Sequence, residues 1–242
     1  MLKHLLVGLS VALVVYCTVD TINTSVLKKI LTYSACHTNC EGDLPDLILD
    51  LLEFEDTYEK IMTICQKIKG VSECLQEKKC GFANRFVMIY GGFYDLCTSK
   101  KFNYITAYDQ CLQDNLDQAL QDADNHCEFT QEIERFSHDP IVISNAGKGG
   151  ATFIPLISRT GPLCTSTICF LPNFQQTLDA VCPVAGSVMT AAMMRPFYHG
   201  LNFVNNLGSA VGSTIKRSVP PQCYPLGNKT FLNMVRKPRQ QY

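Results

Sequence analysis

Through the first half of the chain, apolar side chains recur every three to four positions. Tyr58, Ile61, Met62, Cys65 and Ile68 stand at i, i+3, i+4, i+7 and i+10, a spacing that gathers them on one face of an α-helix. Gly70 follows that stripe as a natural stop. Ile105, Tyr108, Cys111, Leu112, Leu116, Ala119 and Leu120 repeat the spacing, with Asp109, Asp114, Asp117 and Asp122 on the opposite face. Between these stripes, Phe82, Phe86 and Ile89 or Tyr90 predict another helix ending near Gly91-Gly92. No period-two alternation is sustained from Asp46 to Glu134, which argues against a β-sandwich. Several cysteines fall on the apolar stripes, so bridges are expected to tie helix to helix through the core. The pattern predicts a cysteine-rich helical domain over residues 30–136.

Ser137 to Pro162 interrupts this pattern with Pro140, Pro155, Pro162 and the cluster Gly147-Lys148-Gly149-Gly150. Residues 137–163 read as a linker or long surface loop, with a short strand at Ile141 to Ile143. The glycine cluster is not a phosphate-binding loop, because no Ser or Thr follows the lysine and the upstream glycine is absent. Helical character returns from Leu178 to Met194, and Arg195-Pro196 is read as its stop. Phe197 to Ile215 is apolar and rich in small residues, with Gly208 and Gly212 four apart. Such spacing can join transmembrane helices, but Arg195, His199, Asn202, Asn205 and Asn206 oppose a buried span. Packing on the first domain, or lying as a surface helix, fits better. Residues 164–215 are therefore expected as the C-terminal helical part of the same or a second small domain, and 216–242 as a basic tail. The fold class is all-α: a disulfide-rich helical domain with a long loop and a helical C-terminal extension.

The start of the chain changes how the cysteines are read. Lys3 and His4 precede an apolar run from Leu5 to Tyr16, and Val15 and Cys17 are small enough to frame a cleavage site. Residues 1–17 read as a secretory signal peptide, the run being shorter than the roughly twenty residues that span a bilayer. Of thirteen cysteines, Cys17 leaves with that segment and twelve remain. They are Cys36, Cys40, Cys65, Cys74, Cys80, Cys97, Cys111 and Cys127 and, after a gap, Cys164, Cys169, Cys182 and Cys223. In an oxidising compartment an even set at irregular spacing is most simply six disulfides, whose connectivity the sequence does not give. The expected location is secreted and extracellular.

Net charge is −1, yet residues 1–140 hold 12 Lys/Arg against 21 Asp/Glu, whereas 141–242 hold 9 against the single Asp179. The simplest reading is that the two halves neutralise each other within one fold. The alternative is a basic C-terminal surface for sulfated glycans or anionic lipid. Asn23-Thr24-Ser25 and Asn228-Lys229-Thr230 are N-glycosylation sequons. Lys216-Arg217 is read as an exposed basic pair in preference to a processing site.

Catalytic chemistry is hard to assemble from these residues. Cys36-His37 with Cys40 resembles half a zinc site, but no second cluster at ligand spacing accompanies it; half-cystines beside an exposed histidine are the expectation. No metal and no cofactor are expected. There is no His-Glu-x-x-His, no Gly-x-Ser-x-Gly, and no odd cysteine to act as nucleophile. The nearest enzymatic alternative is a phospholipase-like hydrolase. Tyr90-Gly91-Gly92-Phe93-Tyr94 is similar to the calcium loop of secreted phospholipase A2, and His126-Cys127 to its catalytic helix. That catalytic histidine is followed by an aspartate ligand, where Cys127 and Glu128 stand here. The expectation is a non-enzyme with no nucleic-acid partner and no membrane span in the mature chain.

The ordered cysteines carry a family resemblance. Cys36-x3-Cys40, Cys65-x8-Cys74-x5-Cys80, Gly91-Gly92 before Cys97, then Cys111 and Cys127, are followed by Cys164-x4-Cys169-Phe170, Cys182, Ala185-Gly186 and Arg195-Pro196-Phe197. Over roughly residues 30–200 the chain resembles the cysteine-rich domain of nematode chondroitin proteoglycan 4-type secreted proteins. A second nematode group of helical secreted domains of unknown function has a similar run. The resemblance implies a helical, non-catalytic extracellular domain, in some members attached to chondroitin chains and placed in egg or extracellular matrix; the sequence leaves the partner unknown, with extracellular matrix proteins and sulfated glycans as the candidates. Chondroitin attachment in that family uses serine followed by glycine, and none of the thirteen serines here precedes a glycine. The expected function is thus a secreted, N-glycosylated structural or interaction protein without the glycan-carrier sites.

Overall fold

The computed structural model describes residues 22–31, 35–80, 83–148, 152–206, 209–228 and 230–231. The expected leader at 1–17 and residues 229 and 232–242 of the basic tail lie outside them. Short helices α1 (Thr24–Leu31), α2 (Ala35–Glu41) and α3 (Leu44–Leu49) lead through a 3-10 turn at Asp50–Glu53 into α4 (Thr57–Glu77). Then come α5 (Ala83–Thr98), α6 (Lys101–Ala107), α7 (Asp109–Cys127), α8 (Phe129–His138), α9 (Pro140–Asn145) and α10 (Phe153–Ser158). The chain continues through α11 (Gly161–Val181), α12 (Ala185–Met193), α13 (Arg195–Asn206) and α14 (Ser209–Ser218), with 3-10 turns at Pro221–Cys223 and Pro225–Gly227. Among the described residues all regular structure is helical, as the apolar periodicity predicts. No helix there is long and apolar enough to cross a membrane.

Several glycines and prolines do not stand at the helix ends that the sequence predicts. Helix α4 runs through Gly70 to Glu77, because its buried stripe Ile61, Ile64, Ile68, Val71 and Leu75 continues past the glycine, which sits on the exposed face. Helix α5 likewise passes through Gly91-Gly92. A Cβ on Gly92 would lie 2.4 Å from the Ala192 carbonyl oxygen, so glycine here admits the backbone of α12 and does not end a helix. Gly186 does the same where α12 meets α11, since a Cβ there would lie 2.4 Å from the Gln175 carbonyl oxygen.

The stretch read as loop contains two short helices, and the strand at 141–143 is the first turn of α9. Its β-branched residues are overruled by a strong start signal. Pro140 occupies the first helical turn, and Asp139 Oδ1 accepts hydrogen bonds from Ile141 N at 2.7 Å and Val142 N at 3.3 Å. Pro162 is also a helix opener, placing the start of α11 well before the expected Leu178. Between α11 and α12 the helix expected over 178–194 breaks at Cys182-Pro183-Val184, where Val184 takes φ +73°. Arg195-Pro196 does end that helix and at once opens α13.

Helix α11 is the central strut. Its Phe170, Phe174 and Leu178 pack with Leu112, Leu116, Ala119, Leu120 and Ala123 of α7 in one core that also takes Tyr58, Leu96, Met189 and Met194. Cys111 pairs with Cys182 and Cys127 with Cys169. These links join the start of α7 to the end of α11 and the end of α7 to the middle of α11, so the two helices are antiparallel. A smaller core of Leu44, Ile64, Ile68, Val71, Leu75, Phe86 and Tyr90 lies beneath α2 and α3. It is braced by Cys36–Cys80, Cys40–Cys74 and Cys65–Cys97. Cys164–Cys223 fastens the 3-10 turn at Pro221–Cys223 to α11.

Candidate functional site

The twelve cysteines after the expected leader all sit in these six pairs, with Cα separations of 5.0–6.0 Å, inside the range a disulfide spans. No pair joins the set Cys36–Cys97 to the set Cys111–Cys223. The division is six and six, falling between α5 and α7, and not the eight and four suggested by the gap in the sequence.

His37 is not the exposed residue that its neighbours suggest. It is 1% exposed, its Nδ1 3.1 Å from Glu41 Oε1, and the Tyr90 hydroxyl donates to Glu41 Oε2 at 3.3 Å. A single turn of α2 therefore carries a buried polar network between two cysteine pairs. Hydrogen bonding is the condition for burying such groups, and Cys36 and Cys40 are committed to sulfur partners in place of a metal. The atoms of His126, Cys127 and Cys169 lie within 4.8 Å of one another. Because Cys127 and Cys169 are paired, their sulfurs are not thiolate ligands, and only the exposed His126 remains as a donor.

The phospholipase comparison also fails on geometry. Tyr90 to Tyr94 is the middle of α5, where carbonyl oxygens serve the helix ladder and cannot converge on a calcium ion as a loop's would.

Opposite charges from the two halves meet at Asp95. Its carboxylate pairs with Lys101 of α6 and, at 3.1 Å, with Arg195 Nε at the start of α13. Burial alone pushes this carboxyl up, but the two cations together hold it below its ordinary value. Burial, helped by the Arg195 charge, lowers the nearby His199. Asp179, the single acid of the basic half, accepts from Ser187 N at 3.1 Å and from Ser187 Oγ at 2.7 Å, capping α12. Asp117, expected on a solvated face, instead accepts from Thr57 N at 3.0 Å and caps α4 from another helix.

The two sequon asparagines sit differently. Asn23 is half-buried, and its Oδ1 accepts from Val26 N at 3.2 Å at the start of α1. Asn228 is exposed, and its Oδ1 accepts from Thr230 N at 2.8 Å. Lys216 and Arg217 are exposed in the last turn of α14.

The feature that sequence reasoning missed is a cavity of about 340 Å³ at the junction of α4, α5, α7, α11 and α12. Ile61, Leu96, Leu120, Phe170, Leu171 and Met189 form its deep wall, and half-buried Ile48, Leu52, Ile89, Phe93 and Phe197 its mouth. Each of these residues reads as ordinary core in the sequence, because periodicity reports which face is apolar and not whether opposing faces meet. Closed and empty, such a volume would cost about 8 kcal/mol at roughly 24 cal/mol per Å³, comparable to a domain's whole net stability. Its opening lowers that figure, and the pairs Cys65–Cys97 and Cys127–Cys169 hold opposing walls in place.

The sequence profile of the family described as chondroitin proteoglycan 4 matches residues 25–216, most of the chain. No curated protein and no solved structure matches it.

Proposed function

This chain belongs to the chondroitin proteoglycan 4 family, and from that premise we propose that it is a secreted, N-glycosylated, non-catalytic structural or interaction protein of the extracellular space. The observation that carries the reading is the pairing of every cysteine after the expected leader. Such a set persists in an oxidising compartment and not in the cytosol. The absence of any Ser-Gly pair in the sequence separates it from members that carry chondroitin. Of the two sequons, exposed Asn228 is the more accessible acceptor. Expression of the full chain in secretory cells tests this. The expected product is in the medium, shifts in mobility with a peptide N-glycosidase, and is unchanged by chondroitinase. A chondroitinase-sensitive product, or full retention of folded chain inside the cell, would overturn it.

A second reading is a surface for sulfated glycans or anionic lipid. It rests on exposed Lys216 and Arg217 leading into a tail that adds Lys229, Arg236, Lys237 and Arg239. Arg159 and Arg195 contribute less, since each faces an aspartate, Asp139 and Asp95. Retention on a heparin column at physiological salt supports this reading, and flow-through of the intact protein ends it.

A further inference from the structure

We propose, on the secretory reading above, that Lys216-Arg217 is a cleavage site for a paired-basic serine endoprotease of the secretory pathway. The cut leaves a two-chain molecule joined by Cys164–Cys223. In the sequence alone this pair is no more than an exposed basic dipeptide, and its place in the fold is what carries the assignment.

The first observation is position. The family profile ends at residue 216, and Lys216 and Arg217 are exposed in the last turn of α14. That turn closes through Val219 N, which donates to the Ile215 carbonyl at 3.1 Å, and Ser218 Oγ, which donates to the Thr214 carbonyl at 3.0 Å. An endoprotease takes its substrate extended, and a helix end opens more readily than a helix interior. Ser213 and Thr214 are exposed as well, so Ile215 is the one buried side chain on the approach to the bond.

The second is comparison with the other basic pairs of the chain. Lys28-Lys29, Lys78-Lys79 and Lys100-Lys101 offer no arginine before the bond that would be cut. Lys28 is held by Asp46 at 2.7 Å and Lys101 by Asp95. Lys79 leads straight into buried Cys80, which is bonded to Cys36. Arg236-Lys237 lies outside the described residues and precedes Pro238, whose ring nitrogen makes a tertiary amide that such proteases do not cut. Among the described residues Lys216 and Arg217 form no ion pair, and the single acid after residue 140 is Asp179. The guanidinium of Arg217 is therefore open to the bidentate carboxylate recognition that an acidic protease subsite provides.

The third is what happens to the far side. Cys223 and Leu226 are buried in the main core, with Val219 and Phe231 packed against it, and Cys223 is bonded to Cys164 of α11. Hydrolysis adds one water across the Arg217–Ser218 amide, giving a carboxylate on Arg217 and an amine on Ser218, and touches no other bond. The new carboxylate lies at the negative end of the α14 dipole, which loosens that last turn. Residues 218–242 stay in place through the disulfide and their apolar contacts, so the cut nicks the molecule without releasing the basic tail.

The test expresses the full chain in secretory cells with and without an arginyl chloromethyl ketone inhibitor of paired-basic endoproteases. The uncut protein from inhibited cells is then treated with a purified subtilisin-type endoprotease specific for paired basic residues. The expected product is one species on an unreduced gel and two after reduction, the smaller beginning at Ser218 and carrying any glycan on Asn228. Arg217→Gln and Lys216→Gln, both at exposed positions, should be secreted as single chains with an unchanged circular dichroism spectrum. A Cys164→Ala/Cys223→Ala double variant should shed the smaller piece without reductant once denatured; reduction of the parent gives the same readout should that variant not fold. A chain that stays whole in the cells and with the purified protease would overturn the site. Cleavage of Lys216→Gln as complete as that of the parent would overturn the paired-basic class, and loss of the fragment from the unreduced parent would overturn its retention. Failure of the chain to leave the cell counts against the secretory reading instead, and the purified protease, applied to protein recovered from those cells, still decides the site.

Discussion

Replacing one glycine in α5 and one in α4 with alanine should move stability in opposite directions, because the two residues lie in the same kind of structure but against different surroundings. At Gly92 an added Cβ would stand 2.4 Å from the Ala192 carbonyl oxygen and 3.1 Å from its carbon. That is about 1 Å short of ordinary contact. The obstacle is backbone, so no side-chain rotation relieves it and α12 must shift away from α5. Overpacking of this kind costs about 1–3 kcal/mol, and a backbone obstacle belongs at the upper end. The better helix propensity of alanine returns about 1 kcal/mol, leaving a net loss of about 2 kcal/mol. For a chain of this size that lowers Tm by about 4–8 °C. Gly70 is exposed, and a Cβ there meets nothing within 4 Å, so Gly70→Ala should gain about 0.5–1 kcal/mol. Urea unfolding of the disulfide-intact proteins, followed by far-ultraviolet circular dichroism, measures both through the midpoint at constant slope. A Gly92→Ala variant as stable as the parent would refute the close approach of α5 and α12. A Gly70→Ala variant that destabilises would refute the placement of Gly70 within a helix.

Other consequences concern caps and charge. Asp117→Ala should cost about 1 kcal/mol by leaving Thr57 N without its acceptor, and Asp117→Asn should cost less; equal losses would remove the capping role. Asp95 is pushed up by burial but held low overall by Lys101 and Arg195, so its contribution is present above the ordinary carboxyl pKa and is lost as pH falls through the lowered folded value. Asp95→Asn should therefore cost about 1 kcal/mol at neutral pH, the gap to the parent closing in acid; a gap that persists at low pH would argue against the ion pairs. Tyr58 is raised to about 12, first by burial and then by its hydrogen bond to Asp109. Its contribution is complete below the ordinary value near 10 and is lost as pH rises towards 12. Ultraviolet titration of tyrosinate should show a late-ionising group that Tyr58→Phe removes, and a late phase surviving in that variant would refute the assignment.

Much of the helical content was legible because apolar spacing reports a buried face directly. The stripes of α4 and α7 stand where Ile61 to Ile68 and Leu112 to Leu120 place them. Helix ends were less legible, for local and tertiary reasons. Asp139-Pro140 is a readable start signal that outweighs the three β-branched residues after it. Gly92, by contrast, looks like a terminator until Ala192, one hundred positions away, is brought against it. His37 reads as a surface residue because its buried partner Glu41, and Tyr90 that donates to Glu41, are recognisable as a network only after folding. The cavity was invisible for a related reason: Phe170, Ile61 and Leu96 satisfy the helical pattern whether or not their side chains meet. Cysteine parity gave the number of pairs, while the six-and-six partition required knowing that α7 and α11 run antiparallel.

That partition is the most direct test of the structure and of the extracellular reading that rests on it. Peptide mapping of the secreted protein, alkylated without reduction and analysed by mass spectrometry, should return Cys36–Cys80, Cys40–Cys74, Cys65–Cys97, Cys111–Cys182, Cys127–Cys169 and Cys164–Cys223, with no alkylated cysteine among the twelve. A bridge joining any cysteine at or before Cys97 to one at or after Cys111, or several free thiols, would contradict it.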